Sequence, residues 1–189
     1  EIMPSLVGSE MCIRDSCHDD LGLAVANTIA AVDAGATHIQ GTFLGFGERC
    51  GNCNLVTAIL DLQLKKGYDI LPEDSIKKFT DTARRIAEIT NVRLPKNTPY
   101  VGKAAFMHKG GMHGDGVIKY SPAFEHIDPS VVGNERSFPI SEVAGRAIFL
   151  KKAQDVLPGV PLDKEQSDAL LKKLKEMEMQ GYQFEGCLL

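Results

Sequence analysis

The chain has 189 residues, 43% of them hydrophobic. That is enough to bury the core of one domain or one and a half, but it falls short of the ~250 residues of a complete (β/α)8 barrel. A net charge of −4 argues against nucleic acid or an anionic membrane as the main partner. No apolar run approaches the ~20 residues a membrane span needs, and residues 1–16 lack the basic start and apolar run of a secretory leader. Five cysteines, odd in number and scattered, fit reduced thiols in a cytoplasmic protein.

Residues 1–15 show no sustained hydrophobic period. The run from Ser5 to Asp15 resembles a translated sequencing adapter, and residues 1–16 are expected to be an artefact or disordered and to stand outside the fold. Cys187-Leu188-Leu189 could begin a similar scar at the other end. Regular structure is expected from His18-Asp19-Asp20, with Asp20 as a helix N-cap. Leu21, Val25, Ile29 and Val32 then recur at helical spacing, and Gly35 suits the position after the helix end. Residues 37–43 read as a strand, and a glycine-rich loop runs from Gly45 to Asn52. A second helix is expected from about Leu55 to Lys66, stopped by Gly67. Pro72, Glu73 and Asp74 open a third, to about Thr90, which would bury Ile76, Phe79, Ala83 and Ile86.

From Leu94 prolines and glycines multiply, which marks a loop-rich passage into a smaller region. Ser141 is placed as the cap of a helix reaching about Val156. Asp163, with Gln166 three residues on, reads as a capping box for a last helix to Met179. That helix carries Leu170, Leu174 and Met177 on one side, and Lys172, Lys173 and Lys175 on a solvated face. Alternation over residues 18–66 indicates a parallel α/β sheet or barrel, and the pattern leaves both open. The division expected is 17–93 and 94–189.

Four constellations could carry chemistry. His18, at a strand-to-helix junction, is a candidate metal ligand with Asp19 and Asp20 to orient it. Gly45, Gly47 and Gly51 nearly match G-x-G-x-x-G, but the third glycine is one residue late and no Gly-Lys-Ser/Thr follows. Such a loop still lets backbone N–H groups approach an anion. Cys50-Gly51-Asn52-Cys53 has no second pair, which weighs against a zinc or redox site. The run Phe106 to Gly116 places His108, Lys109, His113 and Asp115 among glycines, and His113 with Asp115 could pair an imidazole base with a carboxylate.

Taken in order, His18-Asp19-Asp20-Leu21-Gly22-Leu23-Ala24, Gln40-Gly41-Thr42 with Gly45 to Asn52, Ala105 to His113, Phe124-Glu125-His126-Ile127-Asp128-Pro129, Val132-Gly133-Asn134, Ser141-Glu142 with Gly145-Arg146, and Gly181 to Gly186 resemble the 2-isopropylmalate synthase and citramalate synthase family. The last segment resembles the citramalate branch. The resemblance covers residues 17–186. It implies the C-terminal portion of a (β/α)8 TIM barrel followed by a small, mostly helical linker subdomain. It also implies an acyltransferase that condenses acetyl-CoA with a 2-oxo acid: pyruvate, giving citramalate for isoleucine biosynthesis, or alternatively 2-oxoisovalerate on the way to leucine.

By the same resemblance, His18 and Asn52 are metal ligands for Mg2+ or Mn2+, with Zn2+ a further option. Gly45, Gly47 and Gly51 lie near the acyl-CoA, and Glu48 partners a barrel arginine. His113 and Asp115 form the catalytic pair that the linker lends to the barrel of the neighbouring subunit in a homodimer. Two departures stand out within the chain: Ser16 where a first metal histidine is expected, and Phe124 where relatives often carry a tyrosine, with Tyr120 close by in sequence. The upstream Asp-Arg-Glu segment and the regulatory domain of the family have no counterpart here, so the 189-residue chain by itself is expected to be catalytically inert.

Overall fold

The computed structural model describes residues 14–109, 111–139, 149, 150, 153 and 163–182. The chain divides into two compact units, residues 1–94 with 99–101, and residues 95–98 with 102–189.

The first unit opens with a βαβ arrangement: strand β1 (Arg14–Ser16), helix α1 (Ala24–Asp33) and strand β2 (His38–Gln40). The strands pair in parallel, Arg14 with His38, Asp15 with Ile39 and Ser16 with Gln40. β1 lies inside the segment expected to stand outside the fold. Three residues are too few to show an alternating pattern, and only the partner strand reveals them. Residues 1–13, which include all of the Ser5 to Asp15 adapter-like run except its last two residues, lie outside the described residues.

Helix α1 starts at Ala24 rather than after Asp20, and its N-cap residue Leu23 makes no side-chain cap bond. Asp19 serves instead: the Ala24 N–H donates to its Oδ1 at 3.0 Å. Leu21, expected on the buried helix face, is 85% exposed. The helix buries Ala24 and Thr28, and Gly35 follows its end with φ +108°, as the sequence suggests. β2 is shorter than expected because Thr42 leads into a 3-10 turn, Phe43–Gly45.

Helix α2 (Leu55–Leu64) is capped by Asn54, whose side chain accepts from the Val56 N–H at 3.1 Å. It buries Val56, Ala58, Leu60 and Leu62, so it is enclosed on more than one side. The single helix expected over 72–90 is two, α3 (Glu73–Ile76) and α4 (Phe79–Ile89), separated by a turn at Lys77-Lys78. Ile76, Phe79 and Ala83 are buried as expected, joined by Ala87. The Phe79 ring packs on Phe43 with centroids 5.4 Å apart. Tyr100 closes the unit: its hydroxyl donates to Asp61 at 2.5 Å, and burial, reinforced by that carboxylate, pushes its phenol above the ordinary range. An apolar cleft of about 600 Å³, lined by Val32, Ile39, Leu55, Ile59 and Tyr68 among others, opens beside β2 and α2.

In the second unit, Met107 bridges Ser137 in parallel, with the His108 N–H donating to the Ser137 carbonyl and the Ser137 N–H to the Phe106 carbonyl, both at 3.0 Å. Residues Gly111–Lys119 form helix α5, where the density of glycine suggests a loop. Gly116 explains the discrepancy. A Cβ there would lie 2.4 Å from the Phe124 ring, so this glycine is required by a close approach and not by a turn. Short 3-10 turns follow at Ser121–Ala123 and Pro129–Val132.

The last helix, α6 (Lys164–Met179), has the expected capping box: the Gln166 N–H donates to Asp163 Oδ1 at 2.7 Å, and the Asp163 N–H to Gln166 Oε1 at 3.3 Å. Leu174 and Met177 are half-buried on α6, while Leu170 is 44% exposed. The Ser141 cap, the Ser141 to Arg146 motif and residues 183–189 lie outside the described residues. No helix among the described residues is long and apolar enough to cross a membrane.

Candidate active site

In the first unit, an antiparallel bridge brings His18 and Asn52 together. The Asp19 N–H donates to the Gly51 carbonyl and the Cys53 N–H to the Cys17 carbonyl, each at 2.9 Å. These two bonds flank the His18–Asn52 pair, which makes it a non-hydrogen-bonded pair, the position in which opposed side chains stand closest. The Asn52 Nδ2 donates to the Phe46 carbonyl at 3.1 Å, which fixes the amide and leaves Oδ1 as its acceptor end.

The loop between them is shaped by backbone contacts. The Asn52 N–H donates to the Gly45 carbonyl at 3.0 Å. Gly51 has φ +97°, and a Cβ there would meet that same carbonyl oxygen at 2.1 Å. No other residue type fits this position without moving the loop. Gly45, Gly47 and Gly51 are therefore packing elements of the turn that carries Asn52, with Gly47 backed directly by the Asn52 side chain.

Charge is concentrated at the loop's rim. Arg49, itself in the left-handed region at φ +57°, donates through Nε and a terminal nitrogen to both Asp20 oxygens at 3.0 Å. Its terminal nitrogen also lies 3.2 Å from His18 Nδ1. The hydrogen bond from Arg49 holds the Asp20 carboxyl below its ordinary value, and the pair is exposed. Asp20 is thus the partner of Arg49 rather than a helix cap. The Glu48 side chain is 90% exposed, 3.9 Å from Arg49. Cys50 is exposed and Cys53 buried, so the two thiols of the C-x-x-C run occupy opposite environments.

For a divalent cation, the imidazole of His18 and the amide oxygen of Asn52 are suitable in kind. In number they supply part of a shell, because among the described residues no three His, Cys, Asp or Glu side chains gather. Ser16 belongs to β1 and is exposed.

In the second unit, His113 and Asp115 both lie on α5, and this corrects their expected pairing. Residues two apart on a helix point to different sides. Asp115 accepts instead from Lys119 at 2.6 Å, one turn on. The exposed His113 ring faces Phe124, centroids 4.9 Å apart and planes tilted by 34°. Phe124, and not the 66% exposed Tyr120, supplies the aromatic neighbour.

A cluster that the sequence reading did not assemble lies beside this contact. Glu125 is 8% exposed. His108 Nε2 approaches its Oε1 at 2.8 Å, Arg136 Nε donates to Oε1 at 2.8 Å, and an Arg136 terminal nitrogen donates to Oε2 at 2.5 Å. Burial pushes the Glu125 carboxyl up, but Arg136 and His108 outweigh it and hold the group below its ordinary value. Both His108 and Glu125 sit in motifs the sequence singles out. Nothing local signals that these two residues, 17 positions apart, come together.

Residues 1–91 match the HMGL-like family, and residues 100–182 match the homocitrate synthase post-HMGL domain-like family. The class is therefore a piece of a TIM-barrel domain of the HMGL-like type followed by its post-HMGL domain. Over 171 residues, or 89% of the chain, it is 45% identical to the (R)-citramalate synthase of Aquifex aeolicus and 48% identical to that of Synechocystis. It is 37% identical to the 2-isopropylmalate synthase of Bacillus cereus over 163 residues, 85% of the chain. The chain belongs to the family of the citramalate and 2-isopropylmalate synthases. It spans about a third of the length of these relatives, 32%, 31% and 32% in turn.

Proposed function

We propose that the complete protein to which this chain belongs condenses acetyl-CoA with pyruvate to give citramalate and free CoA. The observation that carries this reading is the higher identity to citramalate synthases, 45% and 48%, than to a 2-isopropylmalate synthase, 37%. Strand β1, α1, β2 and α2 would be late units of a (β/α)8 barrel, with the apolar cleft facing units supplied by the rest of the protein. The cytoplasm is the proposed location.

Chemically, a proton leaves the acetyl methyl group, the methyl carbon bonds to the ketone carbon of pyruvate, and the ketone oxygen gains a proton. Water then cleaves the thioester and releases the CoA thiol. The His18 imidazole, on giving up the Arg49 contact at its Nδ1, and Asn52 Oδ1 would hold a divalent cation, Mg2+ or Mn2+. A cation bound there supplies Lewis-acid polarisation of the ketone. The Gly45–Gly51 turn presents backbone to the anionic acyl-CoA, and Glu48, 90% exposed and only loosely paired with Arg49 at 3.9 Å, would exchange that contact for an arginine elsewhere in the complete barrel. Proton transfer falls to the imidazole of His113, because Asp115 is held by Lys119.

A homodimer in which the linker of one copy serves the barrel of the other predicts that mixing inactive His18→Ala and His113→Ala proteins restores activity. The direct test of the substrate is thiol release by the complete protein with acetyl-CoA and either oxo acid. Pyruvate is expected to be the faster substrate, and a clear preference for 2-oxoisovalerate would sink the citramalate assignment.

A further inference from the structure

His113 lies on a ring that is itself held from behind. Phe124 meets the His113 ring at 4.9 Å and lies against Gly116, where a Cβ would intrude to 2.4 Å. His113 and Gly116 are three apart on α5 and share one face, so Phe124 spans that face. The next residue, Glu125, points inward: its side chain is 3% exposed and takes hydrogen bonds from His108 and Arg136. The residue after that, His126, stacks on the buried Phe106, centroids 6.1 Å apart.

The segment 124–126 is thereby pinned at its centre, and each anchor comes from a different stretch of chain. His108 precedes α5, while Arg136 adjoins Ser137, whose bridge to Met107 ties it to the segment leading into α5. One carboxylate thus links the entry to the helix that carries His113 with the strand of chain that carries Phe124.

We propose that Glu125 is a positioning residue: its anchored carboxylate sets Phe124 against the His113–Gly116 face of α5 and so fixes the orientation of the His113 imidazole. A bidentate guanidinium contact is directional, which suits a carboxylate that must hold one geometry and not merely be neutralised. This rests on the reading that His113 moves a proton in the condensation. Glu125 touches no substrate and acts through its neighbours.

The test reads the His113 ring directly. The ring-proton resonances of His113 are assigned in the full chain by NMR, and Phe124→Leu defines where they fall once the aromatic neighbour is gone. In Glu125→Gln, which keeps the shape and removes the charge, the His113 signals are expected to move toward their Phe124→Leu positions while far-ultraviolet circular dichroism stays unchanged. Signals that remain at their parental positions in a folded Glu125→Gln protein overturn the proposal. Should that variant fail to fold, Arg136→Lys keeps the charge and loses the fork, and its His113 signals decide in the same way.

In the complete protein, Glu125→Gln is expected to lower kcat on the order of 10-fold or more with the KM for acetyl-CoA unchanged. An unchanged kcat overturns the role in turnover. Should the parent protein show no condensation at all, the functional reading fails by itself, and the resonance measurement still decides whether Glu125 positions His113.

Discussion

The two units build their candidate sites by opposite means. In the first, His18 and Asn52 are set side by side by backbone: two 2.9 Å hydrogen bonds flank them, and a glycine turn closes on itself with no space for a side chain. The charged groups there, Arg49 and Asp20, are exposed and sit at the rim. In the second unit the arrangement is made by side chains: a buried carboxylate gathers His108 and Arg136, and aromatic rings extend the contact to His113. A site made of backbone is sensitive to added atoms and indifferent to exposed charge. A site made of buried charge is sensitive to lost atoms and to pH.

The largest expected effect falls on the first unit. Gly51→Ala places a Cβ 2.1 Å from the Gly45 carbonyl oxygen at φ +97°, so the loop must open. A loss of about 3 kcal/mol is expected from strain and overlap together, read as a lowered denaturation midpoint. A loss well under ~1 kcal/mol would show that the turn is not built by backbone contact, since ordinary surface substitutions fall in that range.

Next comes Glu125→Ala in the second unit, which leaves Arg136 without its buried partner. The side chains are 3% and 27% exposed, so a loss of about 3 kcal/mol, the lower part of the range for a broken buried pair, is expected in the same measurement. The pH dependence sharpens the contrast. The folded Glu125 carboxyl lies below its ordinary value of 4.5, so its contribution is present above that pH and is lost as pH falls through the lower folded value. Urea melts at stepwise pH should show the loss below about pH 4.5 in the parent and a flatter profile in Glu125→Gln. The smallest effect is that of Arg49→Ala: an exposed ion pair contributes little, and the melting temperature is expected to stay within error of the parent.

How far the sequence foretells this depends on distance along the chain. The capping box of α6 is readable because both partners lie three residues apart. The body of α2 and the end of α1 at Gly35 are local in the same way. The start of α1 is not, because Asp20 is drawn off by Arg49, 29 residues on, and Asp19 takes the capping bond. α5 escapes because its glycines signal a loop, while the reason for Gly116 is a ring that approaches from Phe124. The resemblance gives His18 and Asn52 only as metal ligands, and local pattern does not bring them side by side, since the bridge joins positions 34 apart. The Glu125 cluster is invisible for the same reason, although the motifs that hold His108 and Glu125 stand out separately, and Arg136 lies outside every motif.

The claim that unites the first unit with the proposed chemistry is that His18 and Asn52 form a cation-holding pair. Electron paramagnetic resonance titration of Mn2+ into the complete protein tests it without reference to turnover. Saturable binding that weakens in both His18→Ala and Asn52→Ala, with Arg49→Ala still able to bind, is the predicted result. Binding left unchanged by both substitutions would contradict the pair and move the cation elsewhere in the protein.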